Sequence, residues 1–105
     1  MASLVLQYDR PTSTQHWHEY NRRVRDWIAR LLQLPGAVSF MAHRAVDGVS
    51  PDTMTVLEFR TVDEARSAAK SNQVKAILEE LRATGTNPQI RVFERSPFTP
   101  EPIHP

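Results

Sequence analysis

The chain has no cysteine, and only three of its 105 residues are glycine. The first absence excludes disulfides, thiolate metal sites and a cysteine nucleophile. The glycines fall where turns or helix ends are expected, at Gly36, Gly48 and Gly85. An excess of charge is missing as well. Thirteen Lys and Arg face twelve Asp and Glu, a formal net charge of +1. No strong field therefore draws the protein to nucleic acid or to an anionic membrane. No apolar run approaches the ~20 residues of a membrane-spanning helix. The opening "MASLVLQYDR" lacks a basic start and a sustained apolar core, so a signal peptide is not expected. We expect a cytoplasmic protein.

What is present reads as one globular domain. Hydrophobic residues make up 40% and charged residues 24%, ordinary values for a folded chain. The expected domain spans 1–96. A tail, 97–105, follows with four of the eight prolines. Its composition reads as extended chain, and Phe98 and Ile103 are expected to dock, across a dimer.

"SLVLQY", 3–8, is a short strand of β-formers. Thr12 and Gln15 match a capping box. Trp17, Tyr20, Val24, Trp27, Ile28, Leu31 and Leu34 then draw one apolar stripe at helical spacing, and Pro35-Gly36 ends the helix. Strands are predicted over 37–46 and 53–60, joined through the turn dipeptide Asp47-Gly48. Thr61 and Glu64 form a second capping box. A helix follows over 62–84, kinked near Ser71 and Asn72, whose side chains compete for backbone hydrogen bonds. A last strand covers 89–95. The order β-α-β-β-α-β predicts an α+β, ferredoxin-like domain: one four-stranded antiparallel sheet with two helices on one face.

Strand parity then sorts the sheet. Leu4, Leu6, Tyr8, Val38, Phe40, Ala42, Thr55, Leu57, Phe59, Ile90 and Val92 should face the helices. The other face is mixed: Val5, Gln7, Ser39, Met41, His43, Met54, Val56, Glu58, Arg91 and Phe93. A purely solvated face has no use for Val5, Met41, Met54, Val56 and Phe93 together. Such a patch marks an interaction surface, and a homodimer packed sheet to sheet covers it with one element.

"LPGAVSFMAHR" and "TVLEFRTVDEARSAAKSNQVKAILEEL" resemble the dimeric α/β-barrel superfamily, nearest its antibiotic-biosynthesis-monooxygenase-like branch. The carrying features are Pro35-Gly36 before the second strand, Glu58-Phe59 ending the third, and an alanine-containing second helix with a mid-helix serine. The resemblance covers residues 3–95. It implies two ferredoxin-like protomers closing into a barrel, and a small-molecule cleft between each sheet and its helices. Some relatives oxidise aromatic polyketides without metal or flavin; others isomerise lactones or cleave haem. Haem-cleaving relatives carry an iron-binding histidine on the second helix, and 62–84 contains none.

The candidate ligand-pocket residues are Tyr8, Trp17, Tyr20, Trp27 and His43. The four aromatics would either line a cleft for a planar ligand or simply pack the core. His43, with Gln7, Glu58 and Arg91, would either bind a ligand or form a satisfied polar network inside the barrel. Paired strands would hold His43 and Glu58 ~13 Å apart, too far for a dyad in one protomer. His16 and His18 point about 200° apart on a helix and do not share a metal there. An RNA-recognition module needs a glycine in its central strand and aromatics on the open face; "MTVLEFRT" has no glycine, and Phe59 falls on the helix side. The expected function is a small-molecule-binding homodimer, as a cofactor-independent monooxygenase-like or isomerase-like enzyme on a small aromatic or cyclic substrate. The alternative is a non-catalytic dimeric binding or accessory protein. No catalytic residue, metal or cofactor is assigned, and neither nucleic acid nor membrane is an expected partner.

Overall fold

Alternation decides the two central strands. In β1 (Ala2–Tyr8) the side chains of Ala2, Leu4, Leu6 and Tyr8 are buried, Ser3 and Gln7 are only half-buried, and Val5, of the second parity, is buried as well. In β3 (Thr53–Phe59) Thr53, Thr55, Leu57 and Phe59 are buried, and Met54, Val56 and Glu58 are half-exposed. The computed structural model describes residues 1–105 and pairs these strands antiparallel, Leu4 opposite Leu57 and Val5 opposite Val56. β2 (Ala37–Arg44) adds to the far side of β3 and β4 (Gln89–Glu94) to the far side of β1. The sheet order is β2-β3-β1-β4, and every ladder is antiparallel. Helices α1 (Thr14–Leu32), α2 (Val62–Lys70) and α3 (Asn72–Ala83) complete the ferredoxin-like α+β fold.

The core lies between the sheet and the helices. Leu4, Leu57, Phe59, Val74 and Ile77 are almost wholly removed from solvent there. α1 packs over β2, and α2 over β1 and β4, so the opposite face of the sheet carries no helix.

Local chemistry sets the helix ends, with two corrections to the sequence reading. The N-cap of α1 is Ser13, whose hydroxyl accepts from His16 N; Thr12 lies one residue too early to reach that amide. The second helical segment is two helices rather than one kinked one. Ser71 sits in extended geometry between them, donates to Ala68 O at 2.7 Å and accepts from Val74 N at 3.2 Å. One hydroxyl thus closes α2 and opens α3. Thr61 caps α2 by accepting from Glu64 N, and its hydroxyl donates to the Glu64 carboxylate. The Leu81 carbonyl at the end of α3 takes hydrogen bonds from the Thr84 and Thr86 hydroxyls.

A third correction concerns β2. Ala37 pairs with Phe59 and Ser39 with Glu58, so Val38 is the extra residue of a β-bulge. It is 49% exposed, and Ala37 packs against the core in its place. Parity assumes one residue per step, and the bulge breaks it. Beyond the bulge the pairing is as expected, His43 opposite Met54. Ala42 keeps its predicted parity but is exposed, because β2 is an edge strand. After β4 the chain has no helix or strand. Arg95 holds Pro100 O and the Glu101 carboxylate, while Phe98 and Ile103 stand exposed, off their own protomer's core. No helix is long and apolar enough to cross a membrane.

Ser71→Ala removes both caps at the α2–α3 break. We expect a loss of about 1 kcal/mol, read as a fall of about 4–8 °C in Tm in a thermal melt followed by circular dichroism. An unchanged melt would mean that packing alone holds the break.

Candidate functional site

The apolar stripe of α1 places three aromatics above the sheet. Trp17 stacks on Tyr20, with ring centroids 6.0 Å apart and planes 19° from parallel. Tyr20 meets Trp27 at 5.7 Å and the edge of Tyr8 at 6.1 Å. The Tyr8 and Tyr20 hydroxyls are hydrogen-bonded at 2.7 Å, buried, where β1 passes beneath α1. Burial, and then the bond to Tyr20, push the Tyr8 phenol far above the usual tyrosine range. It therefore stays protonated, suited to donating a hydrogen bond and unsuited to acting as a base.

Beside this cluster is a slot between α1 and the sheet, closed by Val24 and Ile28 above and Leu6 and Phe40 below, with Tyr8 and Trp27 on its walls. Its volume is about 30 Å³. That is room for about one water and far below the ~300 Å³ of a small-molecule site.

Glu80 of α3 latches α1 over the slot. One oxygen accepts from Trp27 Nε1 at 3.3 Å and Arg30 Nη1 at 3.0 Å, and the other from Arg30 Nη2 at 2.8 Å. Arg23 adds a longer contact at 3.5 Å. The Arg30 hydrogen bond, working against partial burial and helped by Trp27, holds the carboxyl below its usual range. Sequence reasoning missed Glu80. The only signal was that a buried Trp27 indole needs an acceptor.

His43 does not join the aromatics. It lies exposed on the uncovered face, on the far side of the sheet from Tyr8. Strand parity already separates the two, because residues of opposite parity lie on opposite faces of a sheet. The uncovered face has three cross-strand rows. One runs His43, Met54, Gln7, Gln89; the next Met41, Val56, Val5, Arg91; the third Ser39, Glu58, Ser3, Phe93. Gln7, Arg91 and Glu58 thus fall in three different rows and form no network within a protomer. Glu58 accepts from Ser3 Oγ at 2.7 Å instead, and the Arg91 guanidinium lies 4.9 Å from the centre of the Phe93 ring. Met41 is 61% exposed, and Phe93 is also exposed.

A second cavity, about 400 Å³, opens at the end of β1. The Asp9 carboxylate builds its floor, accepting from Ser50 Oγ at 2.5 Å and Asp52 N at 2.9 Å, which ties the β2–β3 loop to β1. Asp52 accepts from Arg10 N at 3.1 Å. Burial opposes its ionisation, but the bonds from Thr53 Oγ1 and Arg10 N and the Arg10 charge keep its carboxyl below the usual range. The Arg10 guanidinium lies 5.7 Å from the centre of the Trp17 ring. Its Nε is buried without a hydrogen bond. No three His, Asp or Glu side chains gather so as to hold a metal ion.

Neither a protein-family model nor a curated protein matches the chain. Solved structures do. SnoaB, a cofactor-independent oxygenase from Streptomyces nogalater, is 17% identical with a TM-score of 0.67, covering 95% of this chain and 97% of that one. A candidate antibiotic biosynthesis monooxygenase from Deinococcus radiodurans is 10% identical with a TM-score of 0.72, over 99% of this chain and 97% of that one. A dimeric ferredoxin-like protein of unknown function from Jannaschia sp. CCS1 is 12% identical, with a TM-score of 0.63 over 90% and 99%. At such identities the shared property is the fold. This chain has the ferredoxin-like fold of the antibiotic-biosynthesis-monooxygenase-like proteins.

Glu80→Gln keeps the size of the latch and removes its charge. Near pH 7 the variant should be less stable by about 1 kcal/mol in urea melts. The folded-state pKa lies below the unfolded value of about 4.3, so the latch is complete above that value and is lost as pH falls through the folded pKa. The gap between the two proteins should close in acid; a gap independent of pH would remove the charge from the account.

Proposed function

We propose that the protein is a homodimer that binds a small aromatic or cyclic molecule, its two uncovered sheet faces packed together. The observation that carries the dimer is the middle row of that face. Met41, Val56 and Val5 run side by side across three strands, with Arg91 at the end and Phe93 beside it. Val5 is already only 9% exposed in the protomer, so transfer of Met41, Val56 and Phe93 from water supplies the apolar gain, a few kcal/mol at ~25 cal/mol per Å² before the entropy of association is subtracted. A second copy supplies a matching face by two-fold symmetry.

The proposed ligand site is the slot under α1. Nine of its ten lining residues are hydrophobic, and with Tyr20 as the donor in the Tyr8–Tyr20 pair, the Tyr8 hydroxyl on its wall has its own proton to give to a ligand oxygen. Entry requires α1 to shift off Phe40. The reaction class that fits is oxidation or isomerisation of the bound molecule without metal or flavin, in keeping with the likeness in fold to a cofactor-independent oxygenase. In the oxidation, an activated ring methylene and O2 give a ring carbonyl and water. The small volume of the slot favours one other reading, a non-catalytic dimeric accessory protein.

Met41→Asp changes a side chain that is exposed in the protomer, so folding should hold. In the dimer it places an unpaired carboxylate in an apolar interface. Dissociation should strengthen at least about 100-fold, seen as a monomer by sedimentation velocity where the parent chain is a dimer. A parent chain that sediments as a monomer would overturn the proposal. For the ligand, oxygen uptake and product formation are measured with a hydroxylated anthrone and no added metal or flavin. Turnover above the uncatalysed rate, reduced in Tyr8→Phe, supports the enzyme; binding and turnover both absent support the accessory reading.

A further inference from the structure

We propose that the polar cavity at the end of β1 is a second binding site, for an uncharged ring compound carrying several hydroxyl or carbonyl oxygens. The inference goes beyond the slot under α1 and does not depend on its opening. At about 400 Å³ the cavity has the size of a small-molecule site, whereas the slot holds about 30 Å³.

Its chemistry is specific. The hydrogen bonds around it run among Tyr8, Tyr20, Asp9, Arg10, Ser50, Asp52 and Thr53, and none involves the side chains of Gln7, Asn87 or Gln89. Gln7 and Gln89 are ladder partners, so their carboxamides stand side by side on one face of the sheet. Asn87 approaches from the loop before β4. Each carboxamide offers two donors and an acceptor, the set that matches a hydroxyl or a carbonyl. Arg10 also lines the cavity, its Nε 3.6 Å from the Asp52 carboxylate. Pro51 and the Tyr8 ring give the cavity walls against which the carbon face of a ring can lie.

Charge excludes the other ligand classes. Asp9 lines the cavity, and the one lining cation, Arg10, is paired with Asp52, so an anion finds no free positive charge. A cation finds both Asp9 oxygens already accepting hydrogen bonds and Asp52 beside Arg10. An uncharged, oxygen-rich ring is what remains.

The test is a side-chain amide NMR titration of the full chain with myo-inositol and glucose. Glucuronate is the anionic match and cyclohexanol the match with one hydroxyl. We expect saturable shifts of the Gln7, Asn87 and Gln89 amide groups with at least one of the two polyols. Glucuronate and cyclohexanol should bind at least about fivefold more weakly. Asn87→Ala and Gln89→Ala each change an exposed residue, and each should weaken binding by about fivefold or more while the backbone spectrum stays that of the parent. Shifts that do not saturate for either polyol up to roughly 100 mM, tighter binding of glucuronate, or undiminished binding in both variants would each overturn the proposal.

Discussion

A sheet covered by helices on one side only is the constraint on which the rest depends. Side chains alternate across a strand, so each residue of β1 and β3 belongs to one face or the other. Leu4, Leu6, Leu57 and Phe59 go to the helices and make the core. Val5, Val56 and Met41 are left on a face that nothing in the protomer covers. The same geometry separates the candidate chemistry. The aromatics of α1 and Tyr8 lie on one side, His43 on the other, and the polar cavity wraps the end of the sheet between them.

The helix side is held by a few directed contacts as well as by packing. Glu80 gathers Trp27 and Arg30, so α1 and α3 are fastened together above the slot. The Tyr8–Tyr20 pair fastens α1 to β1. These contacts close the space in which a ligand is proposed to bind, so binding there and the stability of the latch oppose each other. The cavity at the end of β1 meets a different constraint: Gln7 and Gln89 share the Met54 row of the uncovered face, so a ligand there binds beside the proposed dimer interface. Its frame of Asp9, Ser50 and Asp52 is complete, and its carboxamides are unengaged.

Most of the fold was legible because it rests on period and on local chemistry. The alternation of "TMTVLEF" and the helical spacing from Trp17 to Leu31 survive into the structure, and "SLVLQY" departs from alternation at Val5, which is buried on the second face. Even the competing hydroxyl of Ser71 was visible, though it makes a full break rather than a kink. The bulge at Val38 was not legible, because an inserted residue leaves no mark on an otherwise alternating strand. The site was less legible than the fold. Glu80 reads as one of two adjacent exposed acids on a helix, and its role appears only when Trp27 and Arg30 arrive from α1. The polar cavity draws on Gln7, Arg10, Ser50 and Asn87, segments that become neighbours only through the sheet order.

The central claim is that the uncovered face meets a second copy of the chain, and the most direct measurement is of contact between the two faces. Protein carrying 13C-labelled methyl groups is mixed with unlabelled protein, refolded together, and examined for nuclear Overhauser effects between labelled and unlabelled protomers. The account predicts such effects at the methyls of Met41, Met54 and Val56. Their absence, or their appearance only at residues outside that face such as Val46 and Val49, would contradict it.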